Sequence, residues 1–269
     1  MRRILNVSVL SALAAFLTAC GDGSGPGSTV SIHLGTVPTI APTSFAAQRA
    51  GAADVSTTAI GLERSNGRLT IDEMWVIVEE FELEPVEEGE CDDDVVEVEC
   101  PDFEQRYFFI EVPTDGSDVQ VAVTQASGRF DELEVEIDDA EIDDDDPEDL
   151  ADAELIRAMF ENDILPTFPN WPEKASLVVI GTFEPRNPDG SLGAAEAFTT
   201  YFEAEVEVEI DLVPPFDTDT NTEISVRLNP EAWFVNPDGT VWDLAALQGQ
   251  LVEFEIEMED GFEIKIDDD

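Results

Sequence analysis

Phe202-Glu203-Ala204-Glu205-Val206-Glu207-Val208-Glu209-Ile210-Asp211-Leu212 decides the fold. Apolar residues hold every even position and acids every odd one, a period of two. Successive side chains on a strand point to opposite faces, whereas a helix would repeat every 3.6 residues, so this is a strand with one buried face and one wet face. The same alternation recurs at Leu133, Val135 and Ile137 against Glu132, Glu134, Glu136 and Asp138. It recurs again at Val252, Phe254, Ile256 and Met258 against Glu253, Glu255, Glu257 and Glu259.

Outward from these ladders, Leu69 to Leu83 is apolar on both parities around Trp75, Val76, Ile77 and Val78, which predicts a central strand covered on both faces. Further strands are predicted at Tyr107 to Val112, Val119 to Val123, Ser176 to Phe183, Glu223 to Leu228 and Phe262 to Ile266. Asn187-Pro188-Asp189-Gly190-Ser191 and Asn236-Pro237-Asp238-Gly239-Thr240 place Pro and Gly where tight loops need a fixed and a positive φ. One helix is predicted near 147–163: Asp146 caps it, Pro147 takes its first position, and Ala151, Leu155 and Met159 share a face with Ile156 and Phe160. The expected fold is mainly β, an antiparallel β-sandwich over residues 60–269 with that helix closing one open end.

If the strands at 132, 203 and 253 are neighbours, carboxylates face one another across the sheet, and each such pair costs some tenths of a kcal/mol up to about 1. Bound divalent ions, ambient salt screening at roughly 8 Å, or a basic partner would offset that cost. The whole chain makes the same point. Its 269 residues carry 63 acidic and 12 basic side chains, a net of −51. Nucleic acid and anionic lipid surfaces are poor partners for such a field, while divalent cations, polyamines and basic proteins are drawn to it.

The N-terminus bears on location. Arg2 and Arg3 precede a mostly apolar run, Ile4 to Phe16, too short to span a hydrocarbon core of about 30 Å, so residues 1–19 read as a signal peptide. Leu17-Thr18-Ala19-Cys20 resembles the lipobox of bacterial lipoproteins, which implies cleavage before a lipidated Cys20 and a membrane anchor. Removing Arg2 and Arg3 takes the net charge from −51 to −53. Gly21 is not the aspartate that retains some lipoproteins in the inner membrane, which points to the outer membrane of a bacterial cell envelope. Residues 20–59 form a tether and low-complexity segment: Gly21 to Thr29 has a reach of roughly 15 Å, and a short strand is expected at 30–34.

With Cys20 assigned to lipid, Cys91 and Cys100 remain as a pair for an oxidising compartment. A disulfide there closes the loop CDDDVVEVEC. Calcium takes about six to eight oxygens, and three clusters could supply them: Asp92, Asp93 and Asp94; Asp138 to Asp146; and Asp217, Asp219, Asn221 and Glu223. The last alternates oxygen ligands but lacks the turn glycine and twelfth-position glutamate of an EF-hand.

Catalytic signals are few. His33, the one histidine, lies in the first short strand and reads as a satisfied strand residue, so no nucleophilic triad is in sight. No phosphate loop or zinc spacing is present. The sequence therefore reads as noncatalytic and needs no cofactor. A salt-adapted structural lipoprotein without a ligand is one rival reading; an envelope glycan hydrolase using a carboxylate pair is the other.

Val30 to Leu34, the long strand Ile71 to Leu83, and Gly128-Arg129-Phe130-Asp131-Glu132-Leu133 together resemble a family of bacterial envelope lipoproteins of unassigned function, with a transthyretin-like or immunoglobulin-like β-sandwich. Val37-Pro38 stands where that family carries aspartate-proline. The resemblance implies fold and location and brings no site residues.

Overall fold

A computed structural model describes residues 28–37, 59–86, 103–126, 128–138, 140, 150–218, 221–255 and 261–268. Among the described residues eleven strands form two sheets, and the fold is mainly β as the periodicity requires. The four-stranded sheet has the order β11 (Phe262–Asp268), β9 (Asn221–Leu228), β1 (Ser28–Thr36), β5 (Asp118–Ala126). The seven-stranded sheet is built on two long strands, β3 (Gly67–Pro85) and β8 (Glu196–Asp217).

Between these two strands lie β7 (Leu177–Pro185) and β6 (Arg129–Ile137), arranged end to end. β7 pairs with the first half of each long strand and β6 with the second half. β2 (Ile60–Arg64) and β4 (Phe103–Glu111) complete the far side of β3, and β10 (Leu251–Glu255) the far side of β8. Where β7 and β6 meet, the ladder is patched by Ser176. Its main-chain oxygen accepts from Ile77 at 2.7 Å, and its buried hydroxyl accepts from the Ala204 amide and donates to the Ala204 carbonyl, both at 2.8 Å.

The sheets face each other across one apolar core. Val30, Ile32 and Leu34 of β1 and Ile224, Val226 and Leu228 of β9 meet Leu133, Val135, Val206 and Val208, so the alternation read from the sequence is the inward face. Two pairs depart from the antiparallel expectation. β1 runs parallel to β9 and β8 parallel to β10, because these partners are joined by long connections that do not impose the reversal of a hairpin. Both Asn-Pro-Asp-Gly loops form as read: Gly190 and Gly239 take φ of 84° and 77°, and Asp189 and Asp238 accept from the amides of Ser191 and Thr240 at 2.9 Å.

The helix also departs from expectation. α1 (Leu150–Met159) continues through a π-turn at Phe160–Ile164 into a last turn at Leu165–Thr167; Asp146 and Pro147 lie outside the described residues. It fills the connection between β6 and β7, so it covers the middle of the seven-stranded sheet's outer face and not an end of the sandwich. Ile156, Met159, Ile164 and Phe168 pack with Trp171 on Ile77 and Val178, which point away from the main core. The buried stripe is Ala153, Ile156, Met159, while Leu155 is 51% exposed. The wider π-turn rotates the last residues so that Ile164 stays in line.

Candidate functional site

β6, β8 and β10 are neighbours in the sheet, and this puts the acidic ladders side by side. On β3, β6 and β8 the register is closer still. Glu80 lies opposite Glu136, which lies opposite Glu207; Glu82, Glu134 and Glu209 form the next row, and Glu84, Glu132 and Asp211 the third. Their sequence neighbours Phe81, Leu83, Leu133, Val135, Val206, Val208 and Leu212 are buried in the main core, so these acids face outward together. Strand spacing sets about 4.8 Å between rungs of a row and about 6.8 Å between rows. β8 and β10 extend the pattern with Glu203 opposite Glu253 and Glu205 opposite Glu255.

Such proximity shifts proton affinities upward. Glu136 is raised to about 7, first because burial penalises its charge and then because Glu79, Asp138, Glu207 and Glu80 surround it. Burial followed by neighbouring carboxylates also raises Glu134 and Glu132. The six cross-strand like-charge pairs in these rows, at some tenths to about 1 kcal/mol each, oppose folding by on the order of 1–6 kcal/mol.

At the head of the array the β3–β4 ladder is interrupted without a change of register. Val78 pairs with Phe108 and Glu80 with Arg106, so Glu79 and Tyr107 stand opposite each other between them, and Tyr107 takes a φ of 48°. Val78 and Phe81 both stay in the core, so Glu79 joins Glu80 on the outer side. The Tyr107 hydroxyl donates to Glu79 Oε1 at 3.0 Å. Burial raises the Glu79 carboxyl despite that bond, and burial beside Glu79 raises the Tyr107 phenol. Carboxylate oxygens of Glu79, Glu136 and Asp138 lie within 4.8 Å of one another, each half-buried, close enough for one divalent cation to draw together.

Arg106 borders this group. It donates to Glu80 at 3.0 and 3.3 Å and to Asp152 of α1 at 3.2 Å, and it also pairs with Glu104. Lys174 reaches Glu203 at 3.1 Å. Both cations sit on the margin of the array.

Comparison with protein-family models, curated proteins and solved structures finds no match. The site must be read from its own geometry.

The residues expected from the sequence fall in several places. Cys20, Cys91, Cys100, Asp92, Asp93, Asp94 and Asp219 lie outside the described residues. Asp217 ends β8 opposite Arg129 in the seven-stranded sheet, whereas Asn221 opens β9 in the other sheet opposite Asp268. Glu223, two positions on, has an oxygen 3.8 Å from Nε2 of His33 and accepts from Ser225 at 3.4 Å. The described members of that candidate loop are thus divided between the two sheets. Asp138, read as the start of an acidic run, joins the Glu79 group. Glu79 itself had no sequence signal, because it sits in an apolar strand and only the local break in the ladder opposite Tyr107 turns it outward.

Proposed function

We propose that this chain is a noncatalytic, lipid-anchored protein of a bacterial cell envelope that presents its carboxylate array to divalent cations or to a basic partner. The observation that carries the reading is the in-register array of Glu80, Glu82, Glu84, Glu132, Glu134, Glu136, Glu207, Glu209 and Asp211, with Glu79 and Asp138 at its head. Like charges arranged this way cost stability, and a polyvalent cation or a cationic surface recovers it. Burial and the neighbouring carboxylates raise Glu136 to about 7, so an ion bound there would compete with its proton.

The anchor rests on the N-terminal pattern ending at Cys20; among the described residues no helix is long and apolar enough to cross a membrane. Mass spectrometry of the membrane fraction is expected to find a chain starting at Cys20 with added acyl mass. An unmodified, soluble Cys20 would refute the anchor. A Cys91–Cys100 disulfide belongs to the same exported setting, and its loss should lower stability by roughly 2–3 kcal/mol. Thiol labelling of unreduced, denatured protein should find neither cysteine free.

Calorimetric titration with calcium tests the ligand half of the proposal. Heat of binding with proton uptake by the buffer is expected, and both should diminish in Glu136→Gln. Heat that is absent, or that is unchanged in the variant, would refute a cation site at the array.

A further inference from the structure

We propose that the outer edge of β5 takes up an extended segment of a basic partner protein as an added strand, with one lysine or arginine of that segment seated in the acidic cavity at the start of β5. Among the described residues β5 pairs with β1 alone and β4 with β3 alone. These consecutive strands are joined by Val112–Ser117, so their two free edges lie on one flank of the sandwich.

The other sheet edges carry charge within their strands: Glu63 and Arg64 on β2, Glu104, Arg106 and Glu111 on β4, Glu253 and Glu255 on β10, Glu263 and Lys265 on β11. Charge on an edge deters pairing with foreign strands. β5 has none from Val119 to Ala126, in a chain where more than a quarter of residues are charged. Its bulge, where Ile32 pairs with Ala122 and His33 with Gln120, leaves Ala122–Ala126 as a regular run. Val119, Val121 and Ala122 pack on the core, while Val123 is 55% exposed at the rim, where an added strand would cover it.

At the head of this edge is a cavity of about 490 Å³ lined by Asp72, Glu111 and Asp115 with Thr114, Ile110 and Val119. Ile110 and Val119 supply an apolar wall for a methylene stem, and the carboxylates receive the charged tip. Burial next to Glu73 raises Asp72, a strain that a cation relieves. The edge selects an extended main chain and the cavity selects a positive side chain. A second copy of this chain, with its net of −51, is repelled. This surface is separate from the array, which lies on the outer face of the other sheet.

The test uses the full chain in detergent and fluorescent octapeptides of alternating threonine and valine, with lysine or glutamate at the fourth position. Anisotropy should show the lysine peptide binding about tenfold or more tightly than the glutamate peptide. Val123→Lys should weaken both by about tenfold, because it charges the edge. Asp72→Asn with Glu111→Gln should bring the two peptides to within about threefold of each other. Glu134→Gln with Glu209→Gln, on the array, should leave both unchanged. Hydrogen exchange should show added protection over residues 119–126. Equal binding of the two peptides, no binding, protection over 203–211 instead, or self-association through β5 that excludes the peptide would overturn the proposal.

Discussion

The outer rows of the four-stranded sheet and the rows that β3, β6 and β8 share on the seven-stranded sheet treat charge in opposite ways. On the four-stranded sheet one row reads Asp118, Gly35, Arg227, Glu263, and the next reads Gln120, His33, Ser225, Lys265. Asp118 reaches across β1 to receive Arg227 at 2.7 and 3.0 Å, both side chains part-buried. On the seven-stranded sheet the rows shared by β3, β6 and β8 are all carboxylate, with Arg106 and Lys174 at the margins, whereas Glu63, Arg68 and Glu184 at the opposite end of β3 form a paired row joined by Arg186. Both sheets obey the same pleat and the same inward alternation. Acidity is therefore concentrated by strand choice and register in one half of the seven-stranded sheet; simple salt adaptation would spread it over both sheets.

The sharpest way to break the neutralised face is Gly35→Ala. A Cβ there would stand 2.1 Å from Asp118 Oδ1 and 2.7 Å from the Ser117 carbonyl, so the ion pair that crosses over Gly35 must open. Opening a part-buried, doubly hydrogen-bonded pair costs about 2–3 kcal/mol, and chemical denaturation should register a loss of that order. A wild-type midpoint would show that the pair does not constrain β1.

The acidic face should respond with the opposite sign. Glu134→Gln with Glu209→Gln removes repulsion in the middle row and should raise stability by about 1–2 kcal/mol in low salt. The gain should vanish in about 1 M sodium chloride, where screening falls to roughly 3 Å. Melting curves at the two salt concentrations check this, and a destabilised variant would mean the middle row makes structural contacts that glutamine cannot replace.

A smaller effect follows from protons. Glu136 is raised to about 7 from an ordinary value of 4.5, so the folded state holds its proton more tightly than the unfolded chain. Its contribution is fully present below about pH 4.5 and is lost as pH rises through about 7. Glu79, Glu132 and Glu134, also raised, add to that slope, whereas Glu63, lowered by hydrogen bonds from Arg68 and Arg186, acts against it in the acid range. With solvent screening of these half-exposed groups, the loss between pH 5 and pH 7.5 should be about 1 kcal/mol. Glu136→Gln should flatten the slope; an unchanged slope would place the titration elsewhere.

Much of this contrast was legible in the sequence. The alternation at 202–212 and 132–138 gives both the buried face and the acidic face, since side-chain direction on a strand follows from position alone. It could not tell that Glu80, Glu82 and Glu84 of the apolar β3 complete the rows, because register is set by long-range pairing. The interruption at Glu79 and Tyr107 was hidden for the same reason. The helix was foreseen, but its place over Ile77 and Val178 depends on β6 and β7 ending at one point of the sheet. The two parallel pairs were missed because a period of two carries no information on strand direction.

A carboxylate array that holds cations is stabilised by them, and thermal melting at fixed ionic strength reads that stabilisation. Calcium at about a hundred times its dissociation constant should stabilise the wild type by about 2.7 kcal/mol, with a clear rise in Tm. In Glu79→Gln with Glu136→Gln that rise should disappear while the fold persists. A wild-type melting curve unmoved by millimolar calcium, or moved equally by sodium chloride at the same ionic strength, would show that the array holds no specific cation.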